Sequence, residues 1–209
     1  MTTSPRLLAI LLAGLAIPAA VLVDVAASAA APAAAAAADE TPHYDADGRL
    51  LFPSDYREWI FLSSGIDMSY NNIGEGHSMF GNAFVNHDAY HAFTRDGHWP
   101  DKTMLLVEFR GATSQGSINK KGKYQDDDMM AVEAHVHDTS RFKDGWGFFV
   151  FNNDKPATMI PTSAECYSCH KQHGAVDTTF VQFYPTLMEV AKQKGTLSEN
   201  YRHDEEAGH

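Results

Sequence analysis

Cysteine is scarce in this sequence, with two among 209 residues, and that scarcity limits what can hold the fold together. Two cysteines allow at most one disulfide, so the chain is not a small secreted domain cross-linked by several disulfides. Basic residues are also few, because 16 lysines and arginines stand against 27 aspartates and glutamates, a net charge of −11. An acidic chain repels phosphate, so we do not expect it to bind nucleic acid. The negative charge could attract a basic redox partner by electrostatic steering, or it could serve only to keep the protein soluble.

Long apolar runs are absent except near the N terminus, where Leu7–Val23 is almost uninterrupted. Arg6 precedes this run, and small residues, including Ala33–Ala38, follow it. This order predicts a secretory signal peptide with an alanine-rich processing region over residues 1–38. The alternative is a retained membrane anchor, because the run is close to the length that spans a bilayer. We therefore expect a periplasmic or otherwise exported protein.

The remaining chain shows strand-type alternation more than helical periodicity. We predict an α+β, β-dominated domain over residues 44–194, built on an antiparallel sheet with a few short helices, and a frayed polar tail over 195–209. The predicted strands cover residues 82–85, 103–110, 129–137 and 145–151, and the predicted helices cover 52–59, 87–95 and the segment after Pro185. This order excludes a four-helix bundle.

The two cysteines lie three residues apart, and a histidine follows at once, in Cys166-Tyr-Ser-Cys169-His170. Cys-x-x-Cys-His is the attachment signature of c-type haem, because both thiols can reach one porphyrin edge and the next imidazole can bind the iron. A thioredoxin-type motif would follow a strand in a βαβ unit, and a zinc site would need four ligands. Neither setting is present. The sequence predicts one covalently attached haem c at the centre of the domain, with His170 as the proximal ligand.

The sixth position of the iron decides between functions. A methionine there is typical of an electron carrier, whereas an open position binds or transforms small molecules. The sequence contains seven methionines after the first residue, and none has a setting that singles it out as a ligand; they are Met68, Met79, Met104, Met129, Met130, Met159 and Met188.

Five segments accompany the haem motif in a characteristic order: Phe52–Trp59, Asp88–Tyr90, Trp99–Glu108, Val132–Ala134 and Thr178–Leu187. With the motif, they resemble the cytochrome P-460 family over roughly residues 50–187. The resemblance implies a β-sheet-dominated domain, usually a homodimer, with a five-coordinate haem iron. The family includes hydroxylamine-oxidising enzymes and the cytochromes c′-beta, which bind nitric oxide and carbon monoxide.

One position departs from the hydroxylamine-oxidising members of that family. They carry a lysine bonded to the haem edge, one residue before the strand glutamate that resembles Glu108, and this chain has Val107 there. The nearest lysine, Lys102, is five residues away, about 16 Å along a strand. We therefore expect a c′-beta-like protein that binds nitric oxide or carbon monoxide. The alternatives are an oxidoreductase acting on hydroxylamine or a related nitrogen compound, and a six-coordinate electron carrier.

Residues of the predicted strand 103–110 are candidates for the haem pocket. Val107 and Phe109 share a face with Leu105, which predicts either an apolar wall beside the haem or an ordinary core stripe. The resemblance also places Phe80 and Phe84 where they would cap the distal face, with core packing as the alternative.

Glu133 is the candidate catalytic residue. It resembles a strand glutamate that lies near the iron in the enzymes of the family, where it would accept a proton from a bound substrate. Glu133, His135 and His137 alternate on one face of their strand. That pattern favours a solvent-facing surface over a metal site formed by the three residues.

Overall fold

A computed structural model describes residues 39–68, 78–114 and 116–208 of the chain. The predicted signal peptide lies outside these residues. Within the part of the chain that is described, no helix has the length and apolar character needed to cross a membrane.

Across the described ranges, five antiparallel strands form one sheet, in which the spatial order follows the order along the chain. Because each strand pairs with its successor, the connections can stay short, and none needs a crossover helix. The predicted β-dominated α+β fold is confirmed. The strands are β1 (Ile60–Ile66), β2 (Met79–Val85), β3 (Met104–Thr113), β4 (Tyr124–His137) and β5 (Trp146–Phe151).

The described residues also form four α-helices: α1 (His87–Asp96), α2 (Glu165–His173), α3 (Pro185–Lys194) and α4 (Glu199–Ala207). Helix α1 ends where Gly97 takes a left-handed conformation, and α3 begins at Pro185, whose fixed φ suits a first helical position. Both helices match the sequence predictions.

Outside the haem motif, three elements described next differ from the sequence predictions. The helix expected over 52–59 is a single 3-10 turn, Tyr56–Glu58, because Trp59 is already extended and leads into β1, a strand that was not predicted. The tail expected to fray forms α4, since the Ser198 hydroxyl accepts a hydrogen bond from the Tyr201 N–H and caps the helix.

The sheet separates two hydrophobic cores. On one face, Val85 and Leu105 pack with residues of α1, α3 and the segment 175–184. On the other face, Leu106 and Val136 pack with the segment that precedes β1. In β3 and β4, Leu105 pairs with His135 and Val107 with Glu133, so these four side chains share the face that carries the first core.

Candidate haem-binding site

A cavity of about 310 Å³ lies between that face of the sheet and helix α2. This volume is at the lower end of the range for sites that hold small organic molecules. All five strands contribute to the wall, and α2 and the segment 179–184 close the opposite side. The side chains that form the sheet wall are mostly apolar or small.

Helix α2 carries the whole haem motif, which was not predicted to be helical. Cys166, Cys169 and His170 are spaced by three and four residues, so they lie on one side of the helix. Both cysteines are half-buried and are not joined in a disulfide, and burial raises the pKa of each thiol. Cys166 and His170 line the cavity, whereas Cys169 is not among the lining residues.

The imidazole of His170 is held by aromatic rings and by one hydrogen bond. Its ring centre lies 4.1 Å from that of Phe180 and 4.6 Å from that of Phe148. Nδ1 lies 2.9 Å from the carbonyl oxygen of Thr178. Burial lowers the pKa of His170, although the Thr178 contact opposes the shift, so the ring is held neutral near pH 7. A neutral ring that donates from Nδ1 keeps the lone pair on Nε2.

These residues fit a haem c. Nε2 of His170 is left free to bind a metal, which is the arrangement expected of a ligating histidine whose other nitrogen is oriented by a carbonyl. Two thiols precede it on the same helix face, and the adjoining cavity has the apolar walls that a porphyrin needs.

The profile of the Cytochrome P460 family matches residues 53–181, well over half of the chain. The chain belongs to the cytochrome P460 family. The match begins before β1, spans the five strands and includes the haem motif. Membership implies that the protein is a cytochrome that binds haem c. Among curated proteins, none matched the chain significantly.

In this cytochrome, the apolar side chains expected around the haem divide between the two faces of the sheet. Val107 and Phe109 line the cavity. Phe84 lies on the opposite face, where its ring centre is 5.6 Å from that of Tyr56. Phe80 points to the same side of the sheet as Phe84, because the two residues are four positions apart along β2 and a strand alternates every two. The expectation that Phe80 and Phe84 cap the distal face is therefore corrected, because strand alternation directs both rings away from the cavity.

Glu133 lies in the cavity wall of the cytochrome, beside Val107 on the neighbouring strand. Its side chain is exposed to solvent, although nearby protein atoms still remove part of its hydration. The resulting desolvation raises the pKa of its carboxyl group. Within the described part of the chain, no lysine or arginine is among the residues that line the cavity.

His135 is buried, contrary to the expectation that this face of β4 meets solvent. It is only 7% exposed, its ring stacks on Phe148 at 3.9 Å, and it contacts Trp146 at 4.3 Å and His170 at 5.0 Å between ring centres. Burial lowers the pKa of His135 well below its usual value, and its Nε2 has no hydrogen-bond partner. The expected solvent-facing surface is therefore wrong at His135, which residues of β5 and α2 cover, whereas Glu133 on the same face is exposed.

The alternative metal site on β4 is not formed either. The His137 ring turns away to Pro100, with its Nδ1 2.8 Å from that carbonyl oxygen. Across the described ranges, no three histidine, cysteine, aspartate or glutamate side chains converge in a way that could hold a metal ion.

Sequence reasoning missed two contributions to the site. The Thr178 carbonyl orients His170, and a backbone acceptor leaves no mark in residue type. Met68 and Met79 both line the cavity, which separates them from the other methionines of the chain. Strand alternation could have placed Met79 on the face of Val107, because Gly81 and Ala83 follow it along β2 and pair with Phe109 and Val107.

Proposed function

We propose that this cytochrome holds one haem covalently through Cys166 and Cys169, with His170 as the proximal ligand and an open sixth position. The haem supplies an iron at which a neutral diatomic ligand, nitric oxide or carbon monoxide, binds. The observation that carries the proposal is Val107 in the cavity wall. A valine has no amine with which to form the lysine–haem bond of the hydroxylamine-oxidising members.

The chain's own residues favour such ligands. Leu105, Val107 and Phe109 present an apolar wall, which excludes water and disfavours anions. His170 is kept neutral by burial and oriented by the Thr178 carbonyl, so its Nε2 is available as the iron ligand.

A second candidate function, oxidation of hydroxylamine or a related small nitrogen compound, is favoured by Glu133. Its carboxyl group faces the cavity, and desolvation raises its pKa. A carboxylate with a raised pKa is a stronger base at neutral pH, so it is suited to accept a proton from a bound substrate.

The experiment uses the full chain, expressed with the machinery that attaches haem c. Mass spectrometry of the denatured protein should show the chain plus one haem. The reduced protein should give a Soret band without the red shift and breadth of a lysine crosslink, and carbon monoxide should change the spectrum. A low-spin spectrum that does not change on addition of carbon monoxide would overturn the proposal in favour of a six-coordinate electron carrier. Met68 and Met79 would then be the candidate sixth ligands to replace first.

The Glu133→Gln variant separates the two candidate functions. Carbon monoxide binding should be nearly unchanged, because glutamine keeps the shape of the side chain and a neutral ligand needs no base. Turnover of hydroxylamine by the wild type, falling about 100-fold or more in the variant, would instead support the second function.

We also propose that the cytochrome acts after export, as a homodimer, and exchanges electrons with a basic redox partner. The predicted signal peptide, the family resemblance and the net charge of −11 support these three points in turn. Cell fractionation, sedimentation of the purified protein and the salt dependence of electron transfer to a basic cytochrome would test them.

A further inference from the structure

The carbonyl group that holds His170 belongs to a turn with an unusual backbone. Asp177 and Thr178 have φ angles of +48° and +61°, in the left-handed region that favours glycine. Aspartate visits this region occasionally, but a β-branched threonine there is a genuine outlier. Such a conformation persists only where the surrounding structure holds it in place.

Trp99 donates hydrogen bonds to this turn and to the residue that follows it. Its backbone N–H donates to Oδ2 of Asp177 at 2.9 Å, and its indole N–H donates to the hydroxyl oxygen of Thr179 at 2.8 Å. The Thr179 hydroxyl in turn donates to the carbonyl of Val176 at 2.7 Å. Trp99 is itself buried, with its ring 4.3 Å from that of Phe93 in α1. The turn is therefore tied to the core of the domain.

Gly174 fixes the distance between the turn and the haem-motif helix. A Cβ atom at this position would lie 2.6 Å from the carbonyl oxygen of His170 and 2.7 Å from the carbonyl carbon of Thr178. Both neighbours are backbone atoms, which cannot rotate away as a side chain can. The end of α2 thus approaches the turn so closely that only glycine fits, and Thr178 is brought next to His170.

We propose that Trp99 and Asp177 are positioning residues for the proximal iron ligand, acting through the Thr178 carbonyl. They hold the Asp177–Thr178 turn in the conformation that aims this carbonyl at Nδ1 of His170. The inference rests on the proposed function, in which His170 binds the haem iron. A hydrogen bond from Nδ1 makes the imidazole a stronger electron donor, so it strengthens the iron–histidine bond and favours ferric over ferrous iron.

The test compares Asp177→Ala and Trp99→Phe with the wild type in the haem-loaded full chain. Asp177→Ala removes the acceptor for the Trp99 N–H, and Trp99→Phe removes the indole donor but keeps a ring against Phe93. Resonance Raman spectra of the reduced proteins should show the iron–histidine stretching band at lower frequency in both variants. Their reduction potentials should rise above that of the wild type, because the imidazole donates less.

Two further variants make the result specific. Asp177→Asn keeps an oxygen acceptor and a residue that tolerates positive φ, so both measurements should stay close to wild type. Leu106→Ala lowers stability from the opposite face of the sheet and should move neither. Unchanged bands and potentials in Asp177→Ala and Trp99→Phe, or equal shifts in Leu106→Ala, would overturn the inference. If the wild-type chain takes up no haem, the proposed function itself is wrong. That result is seen before any variant is compared, so it is distinguishable from a failure of the inference.

Discussion

Glu108 is a buried carboxylate on the sheet face that is turned away from the cavity. The Tyr56 hydroxyl and the Arg57 guanidinium donate to one of its oxygens, and Arg110 Nε donates to the other at 2.6 Å. Burial acts to raise the pKa of Glu108, but these hydrogen bonds and the two positive charges outweigh it and lower the pKa. The residue therefore links β3 to the segment before β1 as a charged group.

Replacing Glu108 with glutamine should lower the free energy of unfolding at pH 7 by about 2 kcal/mol, because charge-assisted hydrogen bonds are lost. The cost stays moderate since the side chains of Arg57 and Arg110 are 49% and 22% exposed and can be hydrated. A carboxyl group with a lowered folded-state pKa stabilises above its unfolded-state pKa, and that contribution is lost as pH falls through the folded-state value. The gap between wild type and variant should thus be constant above about pH 5 and shrink below it.

Urea unfolding at a series of pH values measures this gap. Glu58→Gln is the matched control, because Glu58 is exposed in the same 3-10 turn and its side chain makes none of these contacts. A gap that persists undiminished at low pH would show that the carboxylate charge is not what stabilises the fold.

Helix α4 illustrates how an element can be stabilised by its neighbour. Ser198 caps α4, and its hydroxyl also donates to the carbonyl of Gly174 at 2.8 Å, just past the end of α2. Asn200 Nδ2 lies 3.2 Å from the carbonyl of Lys171, and Asp204 accepts from His173 at 2.6 Å. A nine-residue helix is marginal by itself, so these contacts with α2 are needed to hold it.

Ser198→Ala should lower the free energy of unfolding by about 1–2 kcal/mol, because both the cap and the bond to Gly174 are lost. Thermal or urea unfolding of the haem-loaded protein measures the loss. Ser54→Ala, at an exposed turn position, is the control and should change stability little. Equal unfolding midpoints for Ser198→Ala and the control would mean that α4 is not coupled to α2.

At the scale of the whole molecule, the two hydrophobic cores differ in what they pack against. The core around Leu106 packs against the segment before β1, whereas the core around Leu105 adjoins the open cavity next to His170. A group that fills this cavity in the folded state stabilises the fold by mass action, and covalent attachment keeps it there.

The double variant Cys166→Ser/Cys169→Ser should therefore lack covalent haem and unfold at a temperature lower by about 5 °C or more. Differential scanning calorimetry checks this, with haem-free wild type as the control that should match the double variant. A double variant as stable as the haem-loaded wild type would show that haem does not contribute to the fold.

Local sequence patterns by themselves determined most of the strands, helices α1 and α3, and the family. Alternation in 103–110 and 129–137 depends only on the two-residue period of a strand, and the haem motif depends on contiguous spacing. The family expectation drawn from these segments is confirmed by the match over residues 53–181. The assignment of Cys166, Cys169, His170 and Glu133 to roles stays a prediction.

The tertiary structure alone decided which strand face meets the haem-motif helix. His135 has the sequence pattern of a wet strand, yet β5 and α2 cover it, because burial depends on residues distant along the chain. The sequence suggests Phe80 and Phe84 as pocket residues, but the pairing of β2 with β3 directs both to the opposite face of the sheet, where Phe84 packs against the other core. The turn that aims Thr178 at His170 is a backbone arrangement held by Trp99, 79 positions before Thr178, and no local pattern encodes it.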